Sequence, residues 1–66
     1  MGRIEDIEDQ ENAVQLALGD VEESTDDYMW RDDGTSNEES VMMLKKLRND
    51  LERMTECVND LIKTIG

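Results

Sequence analysis

The sequence predicts an all-α chain: an amphipathic helix over residues 1–18, an acidic linker over 19–36, and a coiled-coil helix over 37–66 that forms an oligomeric helical bundle. Three observations carry this. Apolar residues recur without interruption at spacings of three and four through the last third of the chain. A second, weaker run of the same spacing lies near the start. Between them sits a stretch rich in Asp, Glu, Ser, Thr and Gly.

The C-terminal repeat is the strongest signal. With Leu44 at heptad position a, the a residues are Leu44, Leu51, Val58 and Ile65, and the d residues are Leu47, Met54 and Leu61. All seven are apolar. A 3.5-residue period keeps one stripe facing a partner over about 33 Å of helix, so these seven are the expected oligomer interface. Ser36 followed by Glu39 forms a capping box, with Asn37 an equivalent cap one residue on. Glu38 and Glu39 in the first turn and Lys63 near the last complement the helix dipole. Lys46 with Asp50 and Arg48 with Glu52 fall four apart and read as outer-face pairs. The g positions (Met43, Asp50, Cys57, Thr64) and e positions (Val41, Arg48, Thr55, Ile62) are poor in charge. The apolar stripe is thus wider than a two-stranded seam needs. That width tilts the expectation toward a trimer or tetramer over a dimer, with a heterologous helical protein as the other possible partner.

Near the N-terminus Ile4, Ile7, Val14, Leu18 and Val21 share a face, with Glu11 interrupting it and Ala13 and Ala17 beside it. This predicts a helix ended by Gly19, packed on the C-terminal helix or formed on binding a target. The linker contains Tyr28, Met29 and Trp30, framed by Asp26, Asp27, Asp32 and Asp33. Two placements follow. The triplet is a partner-docking motif, with acids steering it to a basic surface, or Trp30 folds back to cap the bundle.

Composition narrows the function. The chain has 66 residues, 18 acidic against 7 basic side chains, one Cys, and no His, Pro or Phe. Leu, Ile, Val and Phe make up only about a fifth of it, near the limit for independent folding of a highly charged chain. A lone Cys57 and no His remove disulfides and the usual zinc sites as aids to folding, which leaves association. No imidazole is available as a base, and no glycine-rich phosphate loop can be drawn, so no enzyme and no cofactor are expected. Asp32-Asp33-Gly34 fails as a calcium loop, because Met29 and Arg31 fall on ligand positions and Ser40 stands where a bidentate Glu belongs. Ser24, Thr35 and Ser36 each have an acid three residues on, a short pattern that acid-directed kinases prefer. Met1-Gly2 resembles a myristoylation start but has Asp6 where Ser or Thr is needed. No membrane-spanning run and no leader pattern is present, which gives an expected intracellular setting, cytoplasmic or nuclear.

Charge is uneven: residues 1–21 carry −5, residues 22–40 carry −7 and residues 41–66 carry +1. Direct nucleic-acid binding is disfavoured. The expected function is a non-catalytic oligomerisation and partner-binding module that presents an acidic recruiting segment. The alternative is an acidic inhibitor or nucleic-acid mimic that occupies a basic groove.

Overall fold

The computed structural model describes residues 3–66, with side chains from Asp6 onward. Met1 and Gly2, and with them the lipidation pattern, lie outside the described residues. Two helices account for nearly all of the rest: α1, Arg3–Met29, and α2, Asn37–Ile65, joined by residues 30–36. They pack along each other as an antiparallel hairpin 52 Å long and 15 by 13 Å across.

The first helix runs well past its expected end. Gly19 lies inside α1 with no positive φ, and the segment expected as an acidic linker over 19–36 is helical as far as Met29. Packing explains the extension. Gly19 weakens a helix by about 1 kcal/mol relative to Ala, but the stripe of Ile7, Gln10, Val14, Ala17, Val21, Ser24 and Tyr28 continues through it at three and four spacing. Every one of these is at least partly buried, and Ala17 and Ser24 are only 2% exposed. Small side chains there let the two helices approach closely.

α1 ends against its dipole, with Asp26 and Asp27 in its last turn and no basic residue there. Arg31 compensates from just beyond. Its Nη1 donates to the Tyr28 carbonyl at 2.8 Å, and its guanidinium lies 4.2 Å from the Tyr28 ring centroid. After a short turn closed by Thr35 N–H donating to the Asp32 carbonyl at 3.0 Å, Ser36 starts α2 as expected. Its hydroxyl accepts from Glu39 N–H at 3.1 Å. At the other end Gly66 N–H donates to the Ile62 carbonyl at 2.8 Å.

The face of α2 turned to α1 is not the a/d stripe. Its less exposed residues are Ser40, Met43, Leu47, Asp50, Met54, Cys57, Leu61 and Thr64, together with Val58. These are the d and g positions. Asp50 therefore turns inward rather than pairing with Lys46 on an outer face, and both reach the same α1 residue. The Ser24 hydroxyl donates to the Asp50 carboxylate, and Lys46 Nζ donates to Ser24 Oγ at 3.3 Å. One turn away Arg53 meets Asp20 at 3.3 Å. The two links lie at matching levels of the antiparallel pair, and a slip by one turn would break both.

Candidate functional site

Besides the separately exposed Leu16, Leu18 and Met42, two surfaces of the described residues are open. The first runs along α2. Once d and g are committed to α1, positions a and e form a second stripe of Val41, Leu44, Arg48, Leu51, Thr55, Val58, Ile62 and Ile65. On a helix turning 100° per residue its centre lies about 110° around from the d/g face. Apart from the half-buried Val58, its aliphatic residues are exposed: Leu44 by 41%, Leu51 by 46% and Ile62 by 60%, with Val41 and Ile65 similarly open. The seven predicted interface residues thus divide. Leu47, Met54, Leu61 and Val58 are half-buried, whereas Leu44, Leu51 and Ile65 are exposed. The d residues lie on the hairpin face, and the a residues belong to the open stripe except for Val58, which stands at its border with that face. Cys57, read from sequence as a heptad flank, stands on the α1 side and is half-buried.

The open stripe has relief. A shallow groove of about 230 Å³ is lined by Leu51, Met54, Thr55 and Val58, with Asn59. Those first four are spaced i, i+3, i+4 and i+7, the four-residue hole that receives a side-chain knob in coiled-coil packing. A second groove on the same helix, lined by Arg48, Leu51, Glu52, Thr55 and Glu56, contains another such quartet.

The second surface is the tip. Trp30 is 84% exposed and Met29 is also open, while Tyr28 is half-buried under Arg31. Trp30 does not fold back onto the helices, so the capping placement is overturned: the chain turns away directly after Trp30 N–H closes the helix on the Asp26 carbonyl at 2.9 Å. Around it, Asp26, Asp27, Asp32 and Asp33 are all exposed. The structure brings the tip and the a/e stripe onto one molecule but not into one site.

Sequence reasoning missed the Ser24 cluster. A serine between a lysine ammonium and a carboxylate has the residue types of an activated nucleophile. Burial argues otherwise, since a hydroxyl on a residue 2% exposed and bonded on both sides has no open approach for a substrate. The same burial hides it from a kinase, and the Ser36 hydroxyl is engaged as a helix cap. The signal available was the spacing alone: Ser24 continues the run of Gln10 and Ala17 at intervals of seven. Among the described residues, no group of three His, Cys, Asp or Glu side chains is placed to hold a metal ion, and no helix is long and apolar enough to cross a membrane. No family model, no curated protein and no solved structure matches the chain.

Proposed function

We propose that the protein is a non-catalytic helical association module: it assembles through the a/e stripe of α2 and presents the acidic α1 and its aromatic tip to a target. The observation that carries this is the open stripe. A 66-residue chain that leaves Val41, Leu44, Leu51, Ile62 and Ile65 between 41% and 60% exposed on one helix face has apolar surface to cover. Assembly would place several acidic tips on one body and raise avidity for a cationic partner by effective concentration. Light scattering across a concentration series tests it, with Leu51→Lys as the disrupting variant and Asn49→Lys, on an exposed face away from both stripes, as the charge-matched control. The expected result is an assembly that Leu51→Lys reduces to monomer and Asn49→Lys leaves intact. A chain monomeric at every concentration, or a Leu51→Lys variant of unchanged mass, refutes the reading.

One observation favours the second reading, an acidic inhibitor or nucleic-acid mimic. Glu22, Glu23, Asp26 and Asp27 are exposed on a helix, where mimicry needs carboxylates fixed in space. Binding to a basic groove by this surface would weaken steeply as salt rises. Association unchanged between low and high ionic strength counts against it.

A further inference from the structure

The occupant of the a/e stripe is set by charge and by the order of residues along it. Charge separates the two helices sharply: α1 contains one basic and ten acidic side chains, whereas α2 contains five and six. A second copy approaching through α1 would oppose two strongly negative rods. Approach through α2 brings together two nearly neutral faces and keeps the two acidic helices out of direct contact.

The open aliphatic residues of the stripe amount to about 500 Å² of surface per chain, at the upper end of what one patch on a monomer exposes. Complete burial of two such stripes would remove about 1,000 Å² from water before the stems of Arg48 and Thr55 are added, the scale at which specific interfaces begin.

Orientation follows from Arg48, the one charged residue in the stripe. A parallel pair sets every position against its own copy and stacks Arg48 on Arg48 in the seam. An antiparallel pair with its two-fold axis near residue 53 sets Val41 opposite Ile65, Leu44 opposite Ile62, Arg48 opposite Val58 and Leu51 opposite Thr55. Each guanidinium then meets an aliphatic side chain, over which its stem can lie with the charge at the rim. Shifting this register by one heptad leaves two apolar residues at one end unpaired. In this register Leu51 of each chain also comes level with the quartet of Leu51, Met54, Thr55 and Val58 on the other, so knob and hole are supplied reciprocally, as a two-fold interface requires.

We infer that the a/e stripe of α2 is covered by a second copy of this chain, packed antiparallel, so that two hairpins make one four-helix assembly. This inference rests on the association reading and gives it a partner and a geometry. The two faces of α2, about 110° apart, suit a helix with one neighbour on each of two sides, as in a four-helix bundle. The tips carrying Trp30 point in opposite directions, about 50 Å or more apart by helix rise alone.

Disulfide trapping in the full chain tests the orientation. In a Cys57→Ser background, Leu44→Cys and Ile62→Cys chains are prepared separately, mixed, and equilibrated in a glutathione buffer. The expected product is the mixed 44–62 dimer, in at least tenfold excess over either like-with-like dimer. Light scattering of the unaltered chain should give twice 7.6 kDa. Predominant 44–44 and 62–62 links, or a trimeric or tetrameric mass, overturn the antiparallel pair while leaving the association reading in place. A monomeric mass at all concentrations overturns both.

Discussion

Ala17→Leu tests how tightly the hairpin closes. Ala17 is 2% exposed at the point where α1 presents its smallest side chains to α2. Both Ala and Leu are strong helix formers, so helix propensity leaves the substitution close to neutral and any effect reports packing. Were the site open, three added carbons would bury apolar surface and stabilise the fold. In a closed seam they must push the helices apart or force a poor rotamer, which costs about 1–3 kcal/mol. A chain of this size has a total stability of only about 3–10 kcal/mol, so the loss is a large share of it. At about 4–8 °C per kcal/mol for a small domain, a mid-range loss lowers Tm by roughly 8–16 °C. Thermal melts followed by circular dichroism at fixed protein concentration measure this, because association would otherwise move Tm by mass action. Leu16→Ala, at a residue 74% exposed on the same helix, serves as the control and should change stability by no more than about 0.5 kcal/mol. An unchanged or raised Tm for Ala17→Leu would refute the close approach of α1 and α2.

Three further outcomes follow from the same packing. Ser24→Ala removes the donor to Asp50 and the acceptor of Lys46 and should cost about 1 kcal/mol in urea unfolding, with an unchanged midpoint counting against a stabilising role for this cluster. Gly19→Ala should raise stability by about 0.5–1 kcal/mol, since a Cβ there meets nothing within 4 Å and the backbone is helical; a lower melting temperature would place a helix break at that position after all. Trp30→Ala should leave the melting curve within about 0.5 kcal/mol of wild type, and its indole should fluoresce as a water-exposed group in the unaltered chain. A blue-shifted emission that reverts on unfolding would return Trp30 to the body of the protein.

What the sequence discloses and conceals divides along physical lines. The heptad from Leu44 and the cap at Ser36 are legible because each depends on residues close in sequence. The length of α1 is not legible. Residues 20–27 hold five acids and a glycine precedes them, so local preference points to a linker, while the half-buried or buried Val21, Ser24 and Tyr28 continue the inner face, and Ser24 is held by α2 residues far away in sequence. The division of the apolar stripe on α2 was half legible for a related reason. An apolar stripe shows that a face must be covered, but only the fold reveals that α1 takes d and g and leaves a and e open. Asp50 shows the same limit, since its spacing from Lys46 suggests a surface pair and the hairpin turns both toward a buried serine.

The exposed tip also bears on how such a chain can change over time. Met29 and Trp30 sit at the end of α1, both exposed, and contribute little to the seam, whereas Ala17 and Ser24 are almost fully buried in it. Change at the tip and preservation of the folded chain therefore concern different residues. Substitutions at the tip can accumulate at little expense to stability, and Met29 and Trp30 could be exchanged for other residues on an unchanged scaffold. The closely packed seam is the part that would resist drift, and a comparison of diverged copies should find the small residues of α1 retained long after the tip has been rewritten.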